Sequence, residues 1–334
     1  MPASACILGC AAPRLGVREA AFFRDADPWG FILFTRNVET PAQLARLVSD
    51  LRAAVGREAP VFVDQEGGVV MRLRPPHWRS WLAPLDQAAR AGPQAARSFW
   101  LRYRLIAAEL RALGIDANCA PCADIAMPQT HPFLRNRCLG RNAAEVVANA
   151  RAAASGLLAG GVLPVLKHIP GHGRASADSH LGLPQADAPA PTLQAEDFAP
   201  FRALADLPLA MTAHLRYPAF DVLPATLSPC IISLIRGQIG FQGLLLSDDI
   251  SMQALTGSLA ERSAAALGAG CDVVLHCTGK PDEIAEVVGA AGAMTPAAQA
   301  RADAALARRQ PPDAIDSAAL EAELEVLLQG RRDA

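Results

Sequence analysis

The chain has 334 residues, of which 51% are hydrophobic, 19% charged and only 5% aromatic, enough apolar material for a sizeable core and unlike a disordered, collagen-like or coiled-coil protein. Thirty-one Lys and Arg against 33 Asp and Glu leave a net charge of −2, so no basic footprint invites nucleic acid or an anionic membrane, and the scarce aromatics exclude an extended stacking platform. The expected partner is a small, nearly neutral molecule gripped by hydrogen bonds.

In chain order, short apolar runs fall at 6–10, 31–35, 61–64, 115–122, 162–168, 209–214, 244–248 and 272–277. None shows the polar alternation of a half-exposed strand, so each reads as a strand buried on both faces, as in a parallel sheet. Stretches of helical period lie between them, near 42–55, 95–113, 143–159, 193–204, 231–239, 259–267 and 282–293. Eight strand–helix repeats predict an α/β fold, a closed (β/α)8 TIM barrel, because closure removes the edges that eight strands leave open. Two more helical patterns, at 297–308 and 317–328, are parted by Gln310-Pro311-Pro312-Asp313 and predict a C-terminal helical tail. No Gly/Ser-rich linker divides the chain, so residues 1–334 are expected to form a single catalytic domain, with the barrel at about 5–295 and the tail at about 296–330.

Ile7-Leu8-Gly9-Cys10 superficially resembles a lipoprotein cleavage box, but no Lys or Arg precedes it, and it reads as the first buried strand. The weakly polar stretch 152–166 is broken by Gly160, Gly161 and Pro164 and is too short to span a bilayer. No membrane segment is expected. The eight cysteines are expected to be reduced thiols in a cytoplasmic protein, since a chain of this length folds without staples.

In such a barrel, catalytic groups sit at the C-terminal ends of strands. The third run is followed by Asp64, Gln65, Glu66, Gly67 and Gly68, then Arg72 and Arg74. Lys167, His168 and His172 follow the fifth, with Asp178 and His180 a few residues on; His214 ends the sixth and Asp248 and Asp249 the seventh. A carboxylate facing a His/Asp group across a barrel mouth is the raw material of nucleophilic and acid/base catalysis. Asp178 and His180 stand two apart, so the carboxylate can orient the imidazole and raise its pKa, although a local turn bond fits the spacing equally well. Asp248 and Asp249 leave an extended strand on opposite faces, and period alone does not say which enters the mouth. His168, His172, His180 and His214 allow a metal cluster to be drawn, but Pro170 and Gly171 break the helix that the four-residue spacing needs and no acidic ligand pattern accompanies them; no metal is expected. Without a G-x-G-x-x-G or P-loop signature, no nucleotide cofactor is expected either.

Taken together, Gly30 to Asn37, Val63 to Gly68 with Arg72, Ala120 to Asp124, Lys167 to Gly173 with Asp178-Ser179-His180, Ala213-His214 and Ser247 to Met252 resemble the family 3 glycoside hydrolases, specifically the single-domain bacterial β-N-acetylhexosaminidases. The resemblance runs in order over about residues 5–280. It implies a retaining mechanism through a covalent glycosyl-enzyme, with Asp248 as nucleophile, His180 as general acid/base and Asp178 as its orienting partner. A neutral imidazole avoids the repulsion that two facing carboxylates suffer. It further implies sugar-binding roles for Asp64, Arg72, Arg137, Lys167 and His168. The implied substrate is a terminal β-linked N-acetylglucosamine on an anhydromuropeptide, handled during cell-wall recycling in the cytoplasm. The sequence does not reveal the oligomeric state, for which a monomer is the expectation. Two departures stand out: Val69 occupies a position where the family often has Arg, and Arg137-Cys138-Leu139 replaces the commoner Arg-Ser-Phe. The rival readings are a phosphorylase in the same fold, a metal-dependent barrel hydrolase and a sugar-binding relic.

Overall fold

In a computed structural model, which describes residues 2–175 and 182–329, the apolar runs become parallel strands: β1 (Ser4–Gly9), β2 (Pro28–Leu33), β3 (Val61–Val63), β4 (Ala117–Asn118), β5 (Leu163–Ile169), β6 (Leu209–Thr212), β7 (Leu244–Asp249) and β8 (Val273–His276). Each pairs in parallel with its sequence neighbours, and β1 pairs with β8, so the sheet closes into an eight-stranded barrel. Helices between the strands cover the outside, and the fold is the (β/α)8 TIM barrel of a single domain.

Side chains alternate along each strand between two apolar layers. Ile7, Phe62, Val165, Met211, Leu246 and Leu275 pack with one another inside the barrel, whereas Leu8, Val63, Leu166, Leu245 and Val274 face the surrounding helices. This parity has a functional consequence. Two residues beyond Phe62, Val165, Leu246 and Leu275 on the inward face come Asp64, Lys167, Asp248 and Cys277, and all four line the cavity at the C-terminal mouth.

Helix starts follow local chemistry. Thr40 accepts the Gln43 N–H and Pro41 opens the helix Pro41–Val55, which Gly56 ends at φ 66°; Ser258 and Glu261 form a reciprocal capping box at the start of Leu259–Ala269. In the tail, helix Pro296–Ala307 sets Ala298, Ala302 and Ala305 against the inner layer and closes the N-terminal end of the barrel. Helix Ser317–Gln329 lies on Pro84–Ala91 and Ala95–Ala112, where Arg97 pairs with Glu323 at 2.7 Å.

Some elements differ from expectation. The fourth run, 115–122, is regular strand only at Ala117–Asn118. Pro121 has no N–H to donate, yet the segment keeps its neighbours: Cys119 N–H donates to Val63 O, and Lys167 N–H to Pro121 O. The predicted helix 193–204 is two pieces, Ala190–Ala195 and Ala199–Ala203, because Pro200 disfavours a helical residue before it and cannot donate back. Helix Val17–Ala26 went unpredicted; its modest apolar stripe buries Phe23 and Ala26. No helix among the described residues is long and apolar enough to cross a membrane, and the eight cysteines are free thiols.

Candidate active site

The site grows from the ends of β3, β5 and β7. Past Asp64 the chain turns through a hairpin, Gln65–Gly67 against Val70–Met71. Gln65 is fully buried and ties the hairpin: its Nε2 donates to Leu73 O at 2.9 Å while its Oε1 accepts the Arg72 and Leu73 N–H groups. Only glycine fits at 67, where φ is 106° and a Cβ would lie 2.7 Å from Leu82 O. The hairpin carries Glu66 and Arg72 back over the mouth.

A chain of alternating charge results. Arg72 donates to Asp64 Oδ2 at 3.0 Å, and Lys167 Nζ donates to Asp64 Oδ1 at 2.9 Å and pairs with Glu66 Oε1 at 2.6 Å. Arg137 grips Glu66 with two parallel bonds of 2.9 and 2.8 Å, the fork geometry that suits guanidinium and carboxylate. Its Nη2 reaches to 3.4 Å from His168 Nε2, and His168 Nδ1 lies 2.7 Å from Asp124 Oδ2. Asp124 Oδ1 accepts the His172 backbone N–H at 2.6 Å. His168 has the wrong parity for the barrel interior, and the β5–β6 register shifts between Lys167 and Ile169; the irregularity re-aims it into the cavity.

Burial opposes ionisation throughout this chain, and the partners overcome it. Lys167 and Arg72 hold Asp64 well below the usual carboxylate range; Arg137 and Lys167 bring Glu66 down to about 2; the His168 and His172 contacts bring Asp124 to about 2. Lys167 is pushed up by Asp64 and Glu66 despite its desolvation. Carboxylates depressed in the folded state bind fewer protons than in the unfolded chain, so their stabilisation is complete above about pH 5 and is lost as the pH falls towards 2. Urea unfolding between pH 6 and pH 2 is expected to show a steep acid limb that Glu66→Gln flattens. A Glu66→Gln limb as steep as that of the unaltered chain would contradict this account.

Asp248 closes β7 beside the network. Its Oδ1 accepts the Asp249 N–H at 2.8 Å, and its second oxygen has no partner among the described residues. Burial raises its pKa, but His214, His168, the Asp249 N–H and Lys167 outweigh it, so the carboxyl is held below its ordinary value. Asp249 has different work: it accepts from Ser251 N and Oγ at 3.0 and 2.7 Å and from Cys277 N at 3.3 Å, fixing the turn after the strand. His214 bridges Thr226 Oγ1 at 2.7 Å and Asp249 O at 2.9 Å. Its burial lowers its pKa, and Nε2 is the nitrogen that donates to the carbonyl. That bond anchors the peptide that follows Asp249, one residue beyond Asp248.

The structure thus brings Asp64, Arg72, Arg137, Lys167, His168 and Asp248 to one cavity, together with His172, Phe34 and Phe133. Asp178 and His180 lie outside the described residues. Arg74 is turned away, its Nε donating to Met71 O. The histidine cluster drawn from sequence does not assemble at His214, which lies behind Asp249; among the described residues the grouping of metal-type donors is Cys122, Asp124 and His168, and there Cys122 Sγ donates to Asp124 Oδ2 at 3.2 Å. Glu66, Asp124 and His214 received no individual role from sequence. Glu66 had a signal, since it stands two residues from Asp64 and an extended chain puts both on one face.

The family model for the glycosyl hydrolase family 3 N-terminal domain matches residues 19–309. The chain belongs to glycosyl hydrolase family 3. This family 3 chain is 38% identical over 288 residues to a β-hexosaminidase of Methylococcus capsulatus, covering 83% of this chain and 84% of that one, and 38% identical over 280 residues to a β-hexosaminidase of Xylella fastidiosa, covering 81% and 82%. Its fold superposes on NagZ from Neisseria gonorrhoeae with a TM-score of 0.84 at 29% identity, over 98% of this chain and 97% of that one. A family 3 β-N-acetylglucosaminidase from Paenibacillus gives a TM-score of 0.80 at 26% identity, over 99% of this chain and 62% of that one. The family 3 protein described here is a glycoside hydrolase.

Proposed function

We propose that this glycoside hydrolase is a retaining exo-β-N-acetylglucosaminidase that removes terminal, non-reducing β-linked N-acetylglucosamine from anhydromuropeptides during cell-wall recycling in the cytoplasm, acting as a monomer without cofactor or metal. The observation that carries the reading is the half-buried carboxylate of Asp248, one oxygen fixed by the Asp249 N–H and the other unpartnered among the described residues, beside the Asp64/Arg72/Lys167 group. The β-hexosaminidases and NagZ it is similar to support the sugar and the setting.

In the proposed reaction, Asp64, Arg72, Lys167 and His168 hold the sugar hydroxyls and set the anomeric carbon over Asp248. The free carboxylate oxygen attacks that carbon as the glycosidic C–O bond breaks, and His180, oriented by Asp178, gives its proton to the departing oxygen. His180, now neutral, takes a proton from water, whose oxygen attacks the anomeric carbon from the opposite face and returns Asp248 to its ionised state. Two inversions leave a β-product.

A 2-acetamido-2-deoxy-5-fluoro-glucosyl fluoride tests this directly. Peptide mass mapping is expected to find the sugar on Asp248; label elsewhere, or none with turnover intact, overturns the reading. Product analysis in phosphate buffer is part of the same experiment, since a sugar 1-phosphate as main product would make the chain a phosphorylase instead.

The acid/base pair makes a separate prediction. Asp178→Ala is expected to lower kcat by about 10²-fold or more on an unactivated chitobiose-type glycoside and far less on a dinitrophenyl glycoside, whose leaving group needs no proton. Equal losses on both substrates would remove Asp178 from that role.

A further inference from the structure

His172 is a buried polar group at the cavity to which the proposed reaction gives no work. It is 6% exposed, it lines the cavity with Asp248 and His168, and among the described residues neither of its ring nitrogens has a hydrogen-bond partner. The other polar groups of the mouth are engaged: Asp64, Lys167, Glu66, Arg137, His168 and Asp124 bond one to the next. The backbone of His172 is also fixed. Its N–H donates to the same Asp124 that holds the His168 ring, Gly171 O accepts from Tyr217 Oη at 2.8 Å, and a Cβ at residue 171 would strike Asp197 O, so the approach to residue 172 is shaped by packing.

A buried donor and acceptor left unmatched is costly, and native structures keep such groups where a ligand or water completes them. Burial, against the opposing charge of Asp124, lowers the His172 pKa to about 4. At neutral pH the ring therefore carries one N–H and one bare nitrogen, a neutral donor and acceptor in a fixed plane. A secondary amide offers the complementary pair, a C=O and an N–H. The sugar hydroxyls are matched by the charged Asp64/Arg72/Lys167 group, whereas His172 shares the cavity with Asp248 and feels its charge. The carbon next to the one that Asp248 attacks is C2, which bears the acetamido group.

We propose that His172 is a specificity residue whose imidazole hydrogen-bonds the C2 acetamido group of the bound sugar. The proposal rests on the N-acetylglucosaminidase reading and adds the residue that distinguishes the amide from a hydroxyl. A site built to hydrogen-bond a substituent rejects an analogue lacking it because its own buried groups are then left unpaired.

The test compares p-nitrophenyl β-N-acetylglucosaminide with p-nitrophenyl β-glucoside, which share a leaving group and differ at C2. In His172→Phe, which keeps a flat ring and removes both nitrogens, kcat/KM is expected to fall about tenfold or more further on the acetamido substrate than on the glucoside. His172→Gln, with an amide in place of the imidazole, is expected to recover part of the preference. If His172→Phe does not fold, as read from circular dichroism, His172→Ala carries the same comparison without added bulk. Equal losses on the two substrates overturn the role of His172 while leaving the N-acetylglucosaminidase reading intact. An unaltered enzyme that cleaves both substrates equally well overturns that reading, and this one with it.

Discussion

Asp248→Ala is expected to lower kcat by about 10⁴-fold or more on any N-acetylglucosaminide, with little change in thermal stability. The size follows from what the side chain supplies. It is the one carboxylate at the mouth with an oxygen unpartnered among the described residues, whereas Asp64, Glu66, Asp124 and Asp249 are each engaged by two or more donors. Stability is spared because Asp248 is half-buried and, among the described residues, accepts one local bond, so its removal leaves none of their buried cations unpaired. The same variant offers a stereochemical check. Azide is small enough to occupy the vacated space and attack from the Asp248 side, and one inversion then replaces two. With a dinitrophenyl N-acetylglucosaminide, azide should restore turnover and release the α-glycosyl azide. A β-azide, or no rescue alongside residual activity close to that of the unaltered enzyme, would show that Asp248 is not the nucleophile.

Lys167→Ala should have the largest effect on stability. Its ammonium is 2% exposed and neutralises Asp64 and Glu66 together at 2.9 and 2.6 Å. Removing one partner of a buried ionic group strands the others in a low-dielectric interior, which costs about 3–5 kcal/mol, a fall of roughly 4–7 °C in Tm for a domain of this size. Without the lysine the two carboxyls rise in pKa, so the folded variant gains protons that the unfolded chain does not. Its deficit is therefore largest at neutral pH and narrows on acidification. Thermal melts at pH 8, 6 and 4.5 read this directly, and a deficit independent of pH would show that lost packing of the lysine stem, not stranded charge, is the cause. Activity should also fall under the proposed reaction, in which Asp64 binds sugar hydroxyls and the lysine holds its carboxylate in place.

How much of the site was legible follows from where each residue stands. Asp64, Lys167, His168 and Asp248 sit at the ends of apolar runs, and a parallel barrel directs such ends to one mouth, so they could be gathered before any coordinates. Asp124 could not be given its task in the same way. It follows a segment in which Pro121 interrupts the regular strand, and its meaning depends on His168 and His172 arriving from another strand with a ring nitrogen and a backbone N–H. His214 shows the same limit: from sequence it was one of four histidines free to join a metal cluster, and in the fold it buttresses the Asp249 carbonyl. Arg137 was assigned to the sugar by resemblance, and its grip on Glu66 emerges only when the hairpin after β3 is in place.

The choice between Asp248 and Asp249 marks the boundary between the two kinds of information. Composition and the spacing of apolar runs were enough, by themselves, to determine a closed parallel barrel with its chemistry at the C-terminal mouth, because hydrophobic burial and the absence of free edges depend on pattern alone. They could not say which aspartate keeps a free oxygen at the cavity, since a strand apolar on both sides carries no alternation to distinguish inside from outside. Only the closed barrel separates them: the curvature of the sheet sends Leu244 and Leu246 inward and Leu245 towards the helices, and that parity, carried two residues further, brings Asp248 to the cavity with one oxygen unpartnered among the described residues, whereas Asp249, also on the cavity wall, has both oxygens tied into the turn.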